Sequence, residues 1–297
     1  MVRRQRLDAE LVRRGLARSR QQAGELVHEG RVTIGGRAAV KAATQVELGE
    51  AIVVAERDGD ADYVSRGAFK LAGALDAFPD LVVAGRRCLD AGASTGGFTD
   101  VLLRRGARSV VAVDVGYGQL AWSLRQDERV TVLDRTNVRE LSHASVDPPA
   151  ELVVADLSFI SLRLVIRPLA QVSVPAADFV LMVKPQFEVG RQWLGAGGVV
   201  RDPELRVQAV LDVAEAAAGE GLGVQGVVAS PLPGPSGNVE YFLWLRREPE
   251  AQRLGGDPLE QQVRAAVRAG PQGAVPHGAM AQGAGPQGAG SQREEVR

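Results

Sequence analysis

Leu89-Asp90-Ala91-Gly92-Ala93-Ser94-Thr95-Gly96-Gly97-Phe98 joins a short apolar run to a helical pattern. The run Arg87–Asp90 has the length and composition of a buried strand, and a helix is expected over Phe98–Arg105. Between them lies a turn of small residues. Such a turn lets the backbone approach a ligand closely, and a helix N-terminus offers unpaired N–H groups. The spacing is not that of the dinucleotide-binding glycine motif, and the phosphate-binding lysine of a P-loop is missing.

Outward from this turn, strand and helix patterns alternate. Further strands are expected at Ser109–Asp114, Val130–Leu133, Leu152–Asp156, Phe179–Lys184, Val224–Ala229 and Tyr241–Leu245. Helices are expected at Gly67–Phe78, Gln119–Arg125, Leu162–Ala170 and Pro203–Ala218. This order implies an α/β domain with a mostly parallel sheet covered on both faces. Asp114 closes the second strand, where a carboxylate can take bonds from both hydroxyls of a ribose. Asp134 follows the third. A glycine-rich turn with acids after the next two strands suits S-adenosylmethionine. The expected cofactor contacts are Asp90, Gly92, Ala93, Ser94, Thr95, Gly96, Gly97, Phe98, Asp114 and Asp134, with Asp156 near the sulfonium.

Lysine is scarce. Of 35 basic residues only Lys41, Lys70 and Lys184 are lysine. A lysine amine can give up its proton when desolvated, whereas a guanidinium cannot. Lys184 ends an apolar run, at the edge where open α/β sheets place their chemistry. Asp156 ends the run before it, so the two side chains are expected to meet. Asp147-Pro148-Pro149 superficially resembles the turn of enzymes that methylate base amino groups, but it precedes the strand and lacks the aromatic residue. It reads as a loop. No Cys/His cluster has metal-ligand spacing, and no metal is expected. Cys88, the single cysteine, reads as a small core residue.

The first 60 residues read as a separate small module. Leu7, Leu11, Val12 and Leu16 mark one helix, and Ser19 caps a second that ends at Gly30. Arg31–Ile34, the turn Gly35-Gly36 and Ala51–Ala55 read as a small hairpin sheet. Residues 1–41 carry ten Arg and Lys against four acids, although the whole chain has a net charge of -1. A basic arm of this kind is an electrostatic footprint for phosphates. The expected RNA contacts are Arg3, Arg4, Arg6, Arg14, Arg18, Arg20, Lys41 and Arg66. Residues 61–65 read as a linker and 66–248 as the α/β domain. In the stretch 249–297 a short helix is expected at Leu259–Val267, and the Gly/Ala/Gln/Pro-rich remainder cannot build a core. No apolar stretch reaches membrane-spanning length and no signal peptide is evident. A cytoplasmic protein is expected.

The basic module, through Arg6-Leu7-Asp8, Arg13-Arg14-Gly15, Ser19-Arg20 and Gly30-Arg31-Val32, resembles the S4 RNA-binding domain. Residues 66–247 are similar to the FtsJ-type ribose 2′-O-methyltransferases, through Val64–Gly67, Leu89–Phe98, Asp114–Gln119, Val154–Ile160, Val183–Glu188 and Ser230–Tyr241. Together they resemble the TlyA (hemolysin A) family of ribosomal RNA methyltransferases. The resemblance implies a Rossmann-like class I S-adenosylmethionine-dependent methyltransferase domain behind a small α+β S4 domain. It also implies methyl transfer to the 2′-hydroxyl of cytidine in 16S or 23S ribosomal RNA, with Lys70, Asp156, Lys184 and Glu240 as catalytic tetrad. Lys184 in the role of proton acceptor requires the free amine. Burial and a nearby Lys70 favour that form, carboxylates oppose it, and the residues alone leave the balance open. An inactive RNA-binding protein, a cytolysin and a small-metabolite methyltransferase are the rival readings.

Overall fold

A strand buried on both faces needs apolar residues at every position, and the runs that supply them form the centre of one sheet. The computed structural model describes residues 4–17, 19–28, 30–47, 49–54, 63–247 and 256–271. Arg3, Arg18, the junction at residues 60–62 and the repetitive segment beyond Pro271 lie outside these residues. The chain divides into two compact units, residues 1–72 with 83–137, and residues 73–82 with 138–297.

The first unit opens with the basic module: β1 (Arg4–Arg6), α1 (Leu7–Arg13), α2 (Arg20–His28), β2 (Val32–Ile34), β3 (Arg37–Ala38), β4 (Gln45–Glu47) and β5 (Ile52–Val54). Ser19 Oγ accepts the Gln22 N–H at 3.1 Å, the expected cap of α2. Gly35 and Gly36 both take positive φ, 54° and 80°, which a two-residue hairpin turn requires. The turn joins β2 to β3, and β5 pairs β2 on its other side. The antiparallel ribbon of β1 with β4 was not expected from the sequence. Leu7, Leu11, Ala23 and Val32 are fully buried in the module's core. Each leucine so buried contributes roughly 1.5–3 kcal/mol.

The same unit holds the start of α3 (Gly67–Ala77), then β6 (Arg87–Ala91), α4 (Gly97–Arg104), β7 (Ser109–Val113), α5 (Trp122–Arg125) and β8 (Val130–Leu133). β6, β7 and β8 pair in parallel. Cys88 lies buried in β6, as expected. The second unit holds β9 (Ala150–Ala155), α6 (Ile166–Gln171), β10 (Ser173–Val183), α7 (Pro185–Glu188), α8 (Pro203–Gly219), β11 (Leu222–Ala229), β12 (Tyr241–Arg247) and α9 (Gly256–Ala269). The strand order is β6-β7-β8 in the first unit and β11-β12-β10-β9 in the second. β9 and β10 run parallel, while β12 is antiparallel to both β10 and β11, so the sheet is mixed.

One buried charge fixes the β10–β12 register. Asp178 is fully buried and stands opposite Arg246. Its carboxylate accepts Arg246 at 2.8 and 3.1 Å and the Trp244 indole N–H at 2.8 Å. A buried carboxylate satisfied in this way specifies one pairing, because any slip would strand it.

The basic module carries its own buried acids. Asp8 accepts Arg6 and Arg20, and Glu10 accepts Arg13 and Arg14. Arg6, and then Arg20 with the Ala9 N–H, hold the Asp8 carboxyl down at about 2. Arg13, and then Arg14, hold Glu10 at about 2. These folded values lie below the unfolded ones, so the stabilisation is complete above about pH 4.5 and is lost as pH falls toward the folded values. Amide protection of α1, measured by hydrogen exchange and corrected for the intrinsic rate, is expected to fall between about pH 4.5 and 2. Asp8→Asn is expected to show a shallower fall, and an equal fall would refute the assignment.

Candidate active site

In the first unit, the turn after β6 is built by backbone bonds. The N–H groups of Gly92 and Ala93 both donate to the Val113 carbonyl, at 2.9 and 3.1 Å. Ser94 and Thr95 stand exposed at the tip, with Ser94 at φ 49°. Gly97 opens α4 where α3 passes close by. A Cβ there would lie 2.8 Å from the Ala68 backbone nitrogen, so the position admits no side chain. Phe98 is buried in the core, and Asp90 is fully buried with its carboxylate on the Thr99 hydroxyl at 2.7 Å. These two residues brace the turn from beneath.

Asp114 and Asp134 follow β7 and β8 as expected. Asp114 accepts the Ser94 N–H at 2.8 Å and the Gly116 N–H at 2.7 Å, and so ties the glycine turn to the next loop. Asp134 accepts Arg125 at 2.5 Å and the Gly118 N–H at 3.3 Å, and Arg125 is the main reason its carboxyl is held below the ordinary range. Beside them Arg135 stacks over the exposed ring of Tyr117, 4.4 Å from its centroid. Tyr63 and Val64 reach α4. Val64 N–H donates to Asp100 at 2.8 Å, and Arg104 lies over the Tyr63 ring.

In the second unit, Lys184 follows β10 directly and precedes Pro185 of α7. Its Nζ lies 2.6 Å from Asp156 Oδ1 and donates to Ser158 Oγ at 2.9 Å. The parallel register Ala155↔Leu181 makes this meeting possible, as the sequence predicts. Lys184 is 8% exposed, and Lys70, on α3 in the first unit, is 7% exposed. Lysines are rarely buried at all, and two of the three in this chain are. Glu240 is 1% exposed, just before β12, and a Cβ on Gly234 would come within 2.6 Å of its Oε1. The chain turns over Glu240 where only glycine fits.

Three groups here were not singled out in the sequence. Ser158 is the hydroxyl partner of Lys184. Phe159 is 90% exposed at φ 65°, its ring 5.2 Å from that of Phe187. A non-glycine residue in that conformation costs about 1–3 kcal/mol, and such strain gathers at functional sites. Glu188 is buried and burial pushes its carboxyl up, against the donors Ser161 and Leu162. Composition carries no signal for any of the three, since their partners are set by loop conformation.

The expected RNA contacts differ among themselves. Arg4 pairs with Glu47 at 3.2 Å and is well exposed, and Lys41 is exposed. Arg6 and Arg20 share Asp8 while remaining about half exposed, at 46% and 59%. Arg14 is turned inward, on Glu10 and the Glu50 carbonyl at 2.5 and 2.7 Å. Arg66 is half-buried just before α3. No helix among the described residues is long and apolar enough to cross a membrane.

Residues 63–247 match the model of the FtsJ-like methyltransferase family, and residues 5–52 match the S4 domain. The chain is 59% identical over 271 residues to the 16S/23S rRNA (cytidine-2′-O)-methyltransferase TlyA of Mycobacterium tuberculosis, covering 91% of this chain and all of that one. It is 40% identical to YqxC of Bacillus subtilis, a protein named as an rRNA methyltransferase, over 89% of this chain and 94% of that one. A solved structure of a hemolysin-named protein from Streptococcus thermophilus matches at 35% identity with a TM-score of 0.71, covering 90% of this chain and 97% of that one. With a buried lysine paired to an aspartate at the ends of two neighbouring strands, and with these matches over nearly its whole length, the chain belongs to the FtsJ-like methyltransferase family, in the TlyA group that carries an N-terminal S4 domain.

Proposed function

We propose that this enzyme transfers a methyl group from S-adenosylmethionine to the ribose 2′-hydroxyl of cytidine in 16S and 23S ribosomal RNA. The observation that carries the reading is Lys184, buried and held between Asp156 and Ser158. A ribose hydroxyl is a weak nucleophile and must lose its proton as its oxygen forms the new bond. Lys184 accepts that proton as a free amine. Asp156 and Ser158 fix the direction of its remaining lone pair and steady the ammonium that results. Glu240 and Lys70 complete the catalytic group by positioning the ribose.

The residues of the glycine turn fit the methyl donor. Ser94 and Thr95 stand exposed on a turn braced by Asp90 and Phe98, and Gly92, Ala93, Gly96 and Gly97 keep it free of bulky side chains. Asp114 and Asp134 supply oxygen acceptors beside it, and Asp156 supplies charge complementary to a sulfonium. S-adenosylmethionine held there provides an electrophilic methyl group. Phe159 supports the nucleic-acid side of the reading, because an exposed ring beside Ser158 and Asp156 gives a base a face to stack on. The target nucleotide leaves its own stack to reach a buried amine. Arg4, Arg6, Arg20, Lys41 and Arg66 grip phosphates, while Arg14 orients α1. The domain limits follow, with an S4 module to about residue 60, a linker at 61–65 and the catalytic domain at 66–248.

Incubation with methyl-labelled S-adenosylmethionine and ribosomal subunits is expected to put label into 2′-O-methylcytidine after nuclease digestion. Label only in small molecules, or membrane lysis without RNA label, would overturn the proposal. Lys184→Arg keeps charge and reach but removes the basic form. It is expected to lower kcat by about 10²–10⁴-fold with donor binding retained, as loss of a general base does. Asp114→Ala is expected to raise the donor Kd about 10- to 100-fold by calorimetry, the loss of hydrogen bonds to a charged acceptor. Lys41→Ala is expected to weaken subunit binding and reduce the slope of log K against log salt by about 1, with donor Kd unchanged.

A further inference from the structure

We propose that Glu188 is a positioning residue for methyl transfer: its carboxylate ties the segment after β9 to the segment after β10, and so holds Asp156 and Ser158 against Lys184. The inference rests on the reading of Lys184 and Asp156 as catalytic.

Lys184 stands at the head of α7 and Glu188 at its end, so both ride on one short element. The Glu188 side chain is 5% exposed. Its Oε1 accepts the Leu162 N–H at 2.9 Å, and its Oε2 accepts the Ser161 hydroxyl at 2.5 Å. Arg163 adds a second tie, with Nη2 donating to the Glu188 carbonyl at 3.3 Å and Nε lying 3.5 Å from the carboxylate. The segment from Asp156 to Ser161 is therefore fixed at both ends. At its start, Ala155 is paired to Leu181 in the sheet. At its end it is fixed by Glu188.

Between the two anchors sits Phe159 at φ 65°. A residue in that region stays there only while its surroundings over-determine it. With Glu188 removed, the Ser161 hydroxyl and the Leu162 N–H lose their acceptor. The segment then relaxes Phe159, and Asp156 and Ser158 move with it. Displacement of catalytic groups by an ångström costs up to about 100-fold in rate. Burial also raises the proton affinity of Glu188. A fold with no use for this tie has little reason to bury a carboxyl in such a place.

The test compares Glu188→Ala, Glu188→Gln, Ser161→Ala and Lys184→Ala in the full chain, with ribosomal subunits and labelled S-adenosylmethionine. Donor Kd and thermal midpoint are measured alongside kcat and KM. Glu188→Ala is expected to lower kcat by about 10- to 100-fold with donor Kd within about twofold of the parent. Glu188→Gln keeps a carbonyl oxygen for Leu162 and is expected to recover most of that loss. Ser161→Ala is expected to fall between, and the Glu188→Ala/Ser161→Ala double variant to lose no more than Glu188→Ala alone. A parent-like kcat in Glu188→Ala, or a loss confined to KM or to the thermal midpoint, would overturn the inference. If Glu188→Ala does not fold, Ser161→Ala decides: reduced kcat supports the tie and unchanged kcat overturns it. Lys184→Ala separates the two readings. If it still transfers methyl groups, the catalytic reading falls and this inference with it. If it is dead beside a full-rate Glu188→Ala, only the tie is wrong.

Discussion

A lysine side chain is seldom taken out of water without a polar partner, and this fold supplies one for Lys184 by strand register. Asp156 is in place because β9 lies parallel beside β10 with Ala155 opposite Leu181. β10 is in turn fixed by β12, where Asp178 binds Arg246 and Trp244. A shift of one residue in either pairing would turn Asp156 or Lys184 to the opposite face. The Lys184–Asp156 pair thus depends on a register locked by a buried charge midway along the same strand.

The central strands were legible because they are buried on both faces, which leaves unbroken apolar runs. β8 falls where its pattern puts it, at Val130–Leu133, and β6, β7 and β9 differ from expectation only at their ends. β10 is longer than the apolar run that announced it. Its first residues, Ser173–Asp178, include exposed positions and a buried charge, and no periodicity rule reads those as strand. The β1–β4 ribbon went unread because Val46 is the one apolar residue among its six, too few to set a strand pattern. α5 is shorter than its helical pattern, since Gln119–Ala121 belongs to the loop that packs on the glycine turn.

The candidate site was legible to a similar degree. The pairing of Lys184 with Asp156 follows from strand order. The Ser158 bond, the φ of Phe159 and the reach of Glu188 to Ser161 do not, since each depends on the path of a loop between two fixed ends. Glu188 lay in a motif that the sequence displayed. Its partners are 26 and 27 residues away, and local spacing carries no information about them.

Net charge was the least faithful guide. The first 41 residues carry a clear excess of basic groups, but that count treats every guanidinium as available. Asp8 and Glu10 are buried, and each engages two arginines. The carboxylates do not simply cancel the arm. A guanidinium has five N–H donors in a rigid fork, and Arg6 offers Asp8 only its Nε and Nη2 edge. The opposite edge keeps its direction while its side-chain torsions are held. For a phosphate ligand this trades Coulomb attraction for orientation, since the order that binding would impose on a free arginine is already present. Arg14 takes the trade further, with Nε on Glu10 and Nη1 on the Glu50 carbonyl. A basic arm built on buried acids therefore offers a phosphate fewer free groups than its charge suggests, with Arg6 and Arg20 already oriented by Asp8.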